Sequence, residues 1–230
     1  MKKTAIIVAG GSGSRMQTAI PKQFLLLQNK PLLMHTLTVF VSYDPDITLI
    51  LVIPPDQEYY WKELCKKYSF TINHQIVHGG NNRFESVKNG LNVTQEEGLV
   101  AIHDGVRPLV ALQTIDRCFH TAATKGNAIP VIPPVDSVRQ KLMDGSSIML
   151  DRTKLVLIQT PQVFEAALIK RAYEQPFRTD FTDDASVLEN TGIKIHLVQG
   201  NRENIKITSP HDLVVAEMLL ELQQKTREQS

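Results

Sequence analysis

Short apolar runs alternate with helical patterns along most of the chain, and this alternation limits the possible folds more than any other feature. The runs that we predict as strands are residues 4–9, 47–53, 72–77, 99–103, 128–132, 155–159 and 195–198. The helical patterns are residues 31–41, 114–123 and 163–173, with further helices beginning near residues 56, 182 and 210. Strands that alternate with helices predict an α/β fold, in which a mostly parallel twisted sheet carries helices on both faces.

Length, charge and cysteine content limit the classes of protein to which this chain can belong. A chain of 230 residues is long enough for one α/β domain with a substantial core, so we predict a single domain over residues 1–230. A formal net charge of +1 argues against nucleic-acid or membrane-surface partners. Cys65 and Cys118 lie too far apart for a metal motif. Only three residues precede the first strand and no apolar run reaches membrane-spanning length, so we expect a cytoplasmic protein.

The first predicted strand runs into a glycine-rich turn that two cationic residues follow. The stretch reads Ile6-Ile7-Val8-Ala9-Gly10-Gly11-Ser12-Gly13-Ser14-Arg15-Met16, and Pro21-Lys22-Gln23 comes soon after it. Glycines let a backbone approach a ligand closely and direct N–H groups at anionic oxygens, and Arg15 and Lys22 add full positive charges. The stretch has neither the Gly-Lys-Ser/Thr of a Walker A loop nor the third small residue of a dinucleotide fingerprint. It therefore predicts a polyphosphate site of another kind.

A second glycine pair precedes a predicted helix at His78-Gly79-Gly80-Asn81-Asn82-Arg83-Phe84-Glu85-Ser86. Asn82 and Glu85 have capping-box spacing, so the helix should begin here. Gly79 and Gly80 would expose backbone groups next to the Ser86 hydroxyl. Two interpretations stay open: an ordinary capped helix, or a shelf that binds a nucleotide base. Gly90, in the interior of this helix, costs about 1 kcal/mol against alanine and suggests a close packing contact.

A third stretch, His103-Asp104-Gly105-Val106-Arg107-Pro108, ends a buried strand. Asp104 and Arg107 should therefore lie at the same edge of the sheet as the glycine-rich turn. Asp104 could hold sugar hydroxyls or contact a metal ion, and Arg107 could steady that carboxylate or an anion; a plain structural ion pair is the alternative. We interpret His103 as a hydrogen-bonded core histidine.

Residues 133–154 break the alternation of strands and helices. Polar and apolar residues alternate in Val135-Asp136-Ser137-Val138-Arg139-Gln140, and a strong hairpin-turn signal follows at Asp144-Gly145. The returning strand of the hairpin would be Ile148-Met149-Leu150. Because an isolated hairpin is barely stable in water, we predict an arm that packs on another subunit.

Taken together, six ordered motifs closely resemble 2-C-methyl-D-erythritol 4-phosphate cytidylyltransferases of the non-mevalonate isoprenoid pathway, over essentially the whole chain. The motifs are the glycine-rich turn with Pro21-Lys22-Gln23-Phe24, the Gly79-Gly80 stretch, His103–Pro108, Thr160-Pro161-Gln162, Thr182-Asp183-Asp184-Ala185-Ser186 and Asn204-Ile205-Lys206. The resemblance implies a Rossmann-like sheet with a hairpin arm that interlocks a homodimer. It also implies the reaction of CTP with methylerythritol phosphate, with Mg²⁺ held mainly by the CTP phosphates and no protein metal ligand assigned.

The resemblance also implies roles for individual residues. Arg15 and Lys22 match the pair that stabilises the transition state, while Lys206 and Arg152 (reaching over from the partner subunit) match residues that position the attacking phosphate. The CTP site corresponds to Ala9, Gly10, Gly11, Gly13, Ser14, Arg15, Lys22, Gly79, Gly80, Ser86 and Asp104. The methylerythritol phosphate site corresponds to Asp104, Arg107, Ser137, Arg152, Thr160, Thr182 and Lys206.

Two departures from the family pattern and two alternative functions accompany this interpretation. Gly105 stands where alanine is usual, and Asn81 stands where an acidic residue is common. A ribitol-5-phosphate cytidylyltransferase shares the glycine-rich turn and Pro-Lys-Gln-Phe, although Asp136-Ser137 and the Thr182 motif favour the methylerythritol enzyme. A nucleotide-binding regulator without turnover is the other alternative, and the presence of both Arg15 and Lys22 argues against it.

Overall fold

A computed structural model describes residues 1–10 and 20–228 of the chain. Its strands are β1 (Lys3–Val8), β2 (Leu26–Leu27), β3 (Lys30–Pro31), β4 (Thr48–Ile53), β5 (Gln75–His78), β6 (Leu99–Asp104), β7 (Asn127–Ile132), β8 (Val138–Lys141), β9 (Ser147–Leu150), β10 (Leu157–Ile158), β11 (Gln162–Glu165) and β12 (Leu197–Gln199). Its helices are α1 (Leu32–Tyr43), α2 (Glu58–Lys67), α3 (Arg83–Asn92), α4 (Leu112–Lys125), α5 (Ala166–Ala172), α6 (Asp184–Glu189) and α7 (Pro210–Glu228).

The central sheet has the strand order β10-β7-β11-β6-β1-β4-β5, and β12 pairs with β7. Strand β1 lies in the middle and pairs in parallel with both β4 and β6. The chain leaves β1 toward β4 and β5, then returns through α3 to place β6 on the other side of β1. This reversal of strand order puts the expected ligand site at the carboxyl ends of β1 and β6.

Helices cover both faces of the sheet, which confirms the predicted fold class. Successive strand side chains point to opposite faces, so Ile7 and Leu51 pack with α1, α2 and α4, whereas Ile6 and Ile102 pack with α3, α5 and α6. Helix α7 closes a smaller cluster against β2 and the start of α1. Both faces of the sheet are therefore buried, as the continuous apolar runs in its strands require.

Three local predictions differ from the structure. Residues 163–173 do not form one helix: Gln162–Glu165 is a strand, antiparallel to both β6 and β7, and only Ala166–Ala172 is helical. Val163 and Phe164 pack on opposite faces of the sheet. Because this segment lies between β6 and β7 and pairs with both, extended backbone is favoured there. The predicted strand at 72–77 begins only at Gln75, and the one at 155–159 narrows to Leu157–Ile158.

The hairpin within residues 133–154 is present. Strands β8 and β9 pair antiparallel, and the turn places Gly145 at a φ of +83° while Asp144 accepts a hydrogen bond from the Ser146 backbone. Apolar side chains on the hairpin are exposed, among them Met143, Ile148 and Met149. The contact of this arm with a second subunit stays a prediction.

Across residues 1–10 and 20–228, no helix has the length and apolar character needed to span a bilayer.

Candidate active site

The ends of β1 and β6 form the floor of a pocket. Ala9 is buried and its N–H donates to the Val52 carbonyl, while the Gly105 N–H donates to the Val8 carbonyl at 2.8 Å. A Cβ on Gly105 would lie 2.9 Å from the Ala9 Cβ, so alanine at this position would require a neighbouring group to shift. Of the predicted phosphate loop, the structure describes Ala9 and Gly10; Gly11, Gly13, Ser14 and Arg15 lie outside the described residues.

This first pocket collects residues from four of the motifs. It is lined by Val8, Ala9, Gly10, Lys22, Gln23, Gly80, Asn81, Asn82, Arg83, Ser86, Asp104, Val106 and Lys206. Its lining combines exposed backbone, amide side chains and cations around one carboxylate. Such a lining suits a ligand that carries both a polar ring and negative charge.

One wall of the first pocket is the capped start of α3. The Asn82 side chain accepts a hydrogen bond from the Glu85 N–H at 2.9 Å, which confirms the predicted cap. The Ser86 hydroxyl accepts from the Gly80 N–H at 3.1 Å and donates to the Asn82 carbonyl at 2.8 Å. A Cβ on Gly79 would lie 2.9 Å from the Ser86 Oγ, so the turn and the helix must approach closely here. Gly79, Gly80 and Ser86 therefore form one compact unit.

The opposite wall carries Lys22, which begins a single 3₁₀ turn after Pro21. Its neighbour Gln23 is fully buried and donates to the Ala9 carbonyl at 2.8 Å and to the Gln57 Oε1 at 2.6 Å. Gln23 thus ties the segment that carries Lys22 to the end of β1. The sequence predicted Lys22 as a ligand of phosphate, and its place at this pocket is consistent with that prediction.

Asp104 stands at the centre of the site and faces three cationic side chains. Its Oδ2 lies 2.9 Å from Lys206 Nζ and 3.3 Å from Arg107 Nε, and its Oδ1 lies 3.7 Å from Arg83 Nε. Burial alone would raise the pKa of Asp104, but the charges of Arg83, Lys206 and Arg107 outweigh burial and hold the pKa well below its usual value. Asp104 is therefore ionised at neutral pH.

A buried hydrogen-bond relay holds Asp104 from behind. The Arg107 carbonyl can only accept, so His103 donates to it through Nε2 and accepts through Nδ1 from the Thr160 hydroxyl at 3.1 Å. The same Thr160 oxygen accepts from the Asp104 N–H at 3.1 Å. His103 is buried with both ring nitrogens hydrogen-bonded, which confirms a hydrogen-bonded core histidine, and burial lowers its pKa to about 4. The Thr160 hydroxyl is thus engaged inside the protein.

A second pocket adjoins the first on the far side of Asp104. It is lined by Arg83, Asp104, Arg107, Ile158, Gln159, Thr160, Gln162, Thr182, Asp183 and Lys206. Arg83, Asp104 and Lys206 line both pockets, so they form a shared wall. Two ligands bound side by side would meet at this wall.

The structure brings most of the predicted residues that it describes to one place. Ala9, Gly10, Lys22, Gly80, Ser86, Asp104 and Lys206 line the first pocket, and Arg107, Thr160 and Thr182 line the second. Ser137 and Arg152 do not line either pocket of their own chain; both are exposed at the two ends of the hairpin, where Arg152 donates to the Val135 carbonyl. Lys206 is more exposed than its flanking isoleucines, and residues 204–208 do not form a regular strand.

Sequence reasoning missed Arg83 as a residue of the site. Its guanidinium donates to the buried Asp184 carboxylate at 2.8 and 2.6 Å. The available signal was weak: Arg83 lies on the same helical face as Ser86, directly after the predicted cap. Nothing in the local sequence indicates a partner 101 positions away.

Comparisons with known proteins agree with this geometry. Residues 3–222 match the family model described as IspD, 2-C-methyl-D-erythritol 4-phosphate cytidylyltransferase. The chain is 51% identical over 220 residues to the protein of that name from Bacteroides thetaiotaomicron, covering 96% of this chain and 100% of the relative. It is also 37% identical over 233 residues to the protein of that name from Alkaliphilus metalliredigens, covering 99% of this chain and 96% of the relative.

Solved structures show the same likeness. The 4-diphosphocytidyl-2C-methyl-D-erythritol synthase from Anaerococcus prevotii superposes with a TM-score of 0.82 at 29% identity, covering 96% of each chain. The 2-C-methyl-D-erythritol 4-phosphate cytidylyltransferase from Thermus thermophilus gives a TM-score of 0.78 at 29% identity, covering 95% of this chain and 98% of that one. The fold and these matches define a nucleotidyltransferase. Within that class, the chain belongs to the 2-C-methyl-D-erythritol 4-phosphate cytidylyltransferase family.

Proposed function

We propose that this chain transfers the cytidylyl group of CTP to 2-C-methyl-D-erythritol 4-phosphate, giving 4-diphosphocytidyl-2-C-methyl-D-erythritol and pyrophosphate. The observation that carries the proposal is the pair of adjoining pockets with a shared wall of Arg83, Asp104 and Lys206. A bisubstrate transfer needs two sites whose ligands meet at the reacting atoms, and this wall is where they would meet.

CTP is assigned to the first pocket. The backbone of Gly79 and Gly80 and the Ser86 hydroxyl would read the cytosine ring, because the α3 cap fixes these groups and both Gly80 and Ser86 line the pocket. Ala9, Gly10 and Lys22 would take the triphosphate together with Gly11, Gly13, Ser14 and Arg15, whose assignment rests on the sequence. Methylerythritol phosphate is assigned to the second pocket, with Arg107, Thr182 and Lys206 as its polar lining.

The chemistry needs charge neutralisation more than proton transfer. The substrate phosphate is already an anionic nucleophile, so an oxygen of it attacks the α-phosphorus of CTP, the bond to the β-phosphate oxygen breaks, and pyrophosphate departs. Lys22 and Arg15 would stabilise the charge that develops around the α-phosphate, and Lys206 would hold the attacking phosphate in line. Asp104 keeps Lys206 at the shared wall through their 2.9 Å contact.

A divalent metal fits this site as a companion of the nucleotide. Within residues 1–10 and 20–228, no cluster of three or more His, Cys, Asp or Glu side chains could hold a metal ion. Asp104, the carboxylate of the first pocket, is already surrounded by three cations. We therefore assign Mg²⁺ to the CTP phosphates, where it would neutralise charge on the leaving pyrophosphate. The protein supplies the cations around it.

The working unit is proposed to be a homodimer joined by the hairpin arm. Exposed apolar side chains on the arm, including Ile148 and Met149, would be buried against a second copy. Arg152 lies outside both pockets of its own chain, which supports its assignment to the second pocket of the partner. A cytoplasmic location stays a prediction, to be checked by cell fractionation.

Subunit mixing tests the dimer and Arg152 together. Arg152→Ala and Lys22→Ala should each be nearly inactive alone. Mixed and allowed to exchange, half of the dimers are heterodimers, each with one complete site, so about a quarter of wild-type activity should return. No recovery, with exchange verified by mass, would show that Arg152 does not act across the interface.

A panel of acceptors tests the reaction itself. Pyrophosphate release from CTP should depend on methylerythritol phosphate and should be far slower with ribitol 5-phosphate at equal concentration. Turnover with ribitol 5-phosphate alone would assign the sibling activity. CTP binding without turnover of either acceptor would favour a regulatory protein.

A further inference from the structure

Asp184 is a buried carboxylate directly behind the wall that the two pockets share. It begins α6, has no exposed surface, and belongs to neither pocket lining. Its Oδ1 accepts hydrogen bonds from Arg83 at 2.8 Å and from the Tyr173 hydroxyl at 2.6 Å, and its Oδ2 accepts from Arg83 at 2.6 Å. A buried carboxylate is costly unless it is paired, and here a bidentate contact pairs it.

Arg83 is held between two carboxylates. Its two terminal nitrogens face Asp184, and its Nε faces Asp104 at 3.7 Å. Both terminal nitrogens of Arg83 are therefore occupied by Asp184, and this bidentate contact fixes how the guanidinium group is oriented at the two pockets. Burial would lower the pKa of Arg83, but the Asp184 charge outweighs burial and raises it, so the wall keeps this positive charge.

The segment around Asp184 also shapes the second pocket. Thr182 and Asp183 line that pocket, and α6 is fastened by two contacts of Gln162: its amide donates to Asp183 at 2.7 Å, and its oxygen accepts from the Ala185 N–H at 2.8 Å. The Arg83–Asp184 pair then links this segment to the start of α3, which forms the first pocket. This ion pair, whose carboxylate is buried, therefore joins the two halves of the site.

We propose that Asp184 is a positioning residue for cytidylyl transfer: it aims the Arg83 guanidinium and so fixes Asp104 and the wall shared by the two pockets. The proposal rests on the proposed function. Without the Asp184 charge, Arg83 has Asp104 as its remaining carboxylate and competes there with Lys206. The shared wall would then move on both sides, so both substrates should bind less well.

Four variants separate positioning from mere folding. Asp184→Asn removes one charge, and Arg83→Gln/Asp184→Asn replaces the ion pair with an amide pair, so no buried charge is left unpaired. Arg83→Lys keeps the charge without the bidentate fork. Tyr173→Phe is the matched control, because it removes the other hydrogen bond to the same buried carboxylate and leaves Arg83 in place. Each purified variant is measured for melting temperature and for the KM of CTP and of methylerythritol phosphate.

A positioning role predicts that both KM values rise at least fivefold in Asp184→Asn, in the double variant and in Arg83→Lys, in samples that melt cooperatively. Tyr173→Phe should melt lower than wild type while both KM values stay within twofold. A purely structural role would lower kcat with the folded fraction and leave both KM values unchanged. If both KM values are unchanged in the double variant and in Arg83→Lys while the wild type is active, the positioning role of Asp184 is wrong and the proposed function stands. If the wild type itself is inactive, the proposed function is wrong as well.

Discussion

Replacing Thr160 by valine tests whether its hydroxyl supports Asp104 or contacts the substrate. Valine has nearly the shape of threonine, so the change opens no cavity at this buried position. It removes the oxygen that accepts from the Asp104 N–H and donates to His103 Nδ1, both at 3.1 Å. A buried polar group left without a partner costs about 1–3 kcal/mol, so losing both contacts should destabilise the protein by about 2–4 kcal/mol.

The change should also lower activity, because Asp104 loses the contact that fixes its backbone at the shared wall. A displacement of reacting groups by about 1 Å can cost about 100-fold in rate, so we expect kcat/KM to fall by at least about tenfold. Urea unfolding gives the stability, and pyrophosphate release gives the kinetics. Thr160→Ser is the control: it keeps the hydroxyl and should lose only about 1 kcal/mol for the missing methyl group.

The opposite pattern would refute this reasoning. If Thr160→Val is as stable as wild type while only the KM for methylerythritol phosphate rises, the hydroxyl is free to bind the substrate, as the family resemblance implies. Equal destabilisation of the valine and serine variants would also contradict the relay, because the serine variant retains its hydroxyl.

Three further changes have defined outcomes. Gly90→Ala should lower the melting temperature by an amount equivalent to about 1 kcal/mol, because a Cβ 2.8 Å from Ile6 Cγ2 costs more than the helix gains; a higher melting temperature would contradict this packing. Burial lowers the pKa of His103 from 6.5 to about 4, so the unfolded chain binds this proton first and the free energy of unfolding should fall by about 3 kcal/mol as the pH falls across that interval. His103→Gln should flatten the pH dependence of stability. An unchanged slope in this variant would show that His103 does not titrate this way. Lys22→Ala should lower kcat by about 10²–10³ with an unchanged melting temperature, and near-normal turnover would remove Lys22 from the transition state.

The features that could be predicted are those that depend on neighbours in sequence. The cap of α3 follows from a short spacing, and the structure shows Asn82 accepting from the Glu85 N–H. The hairpin follows from Asp144-Gly145. Asp104 and Arg107 could be placed at one edge of the sheet because they follow a continuous apolar strand.

The features that could not be predicted depend on contacts between distant segments. Strand β11 has a pattern that suits a helix equally well, and the gap between β6 and β7 decides its conformation. The contact of Lys206 with Asp104 and that of Arg83 with Asp184 exist only after folding. The engagement of the Thr160 hydroxyl in the His103 relay is likewise invisible in the sequence, where Thr160 reads as a turn residue before proline.

In the proposed reaction, two adjoining pockets bring the substrate phosphate directly to the α-phosphorus of CTP. The stereochemistry of transfer from a single diastereomer of α-thio-CTP, read by phosphorus NMR of the product, shows whether the transfer is direct. A single in-line displacement predicts inversion of configuration at the α-phosphorus. Retention would indicate two displacements through a cytidylyl-enzyme intermediate and would rule out direct transfer between the two pockets.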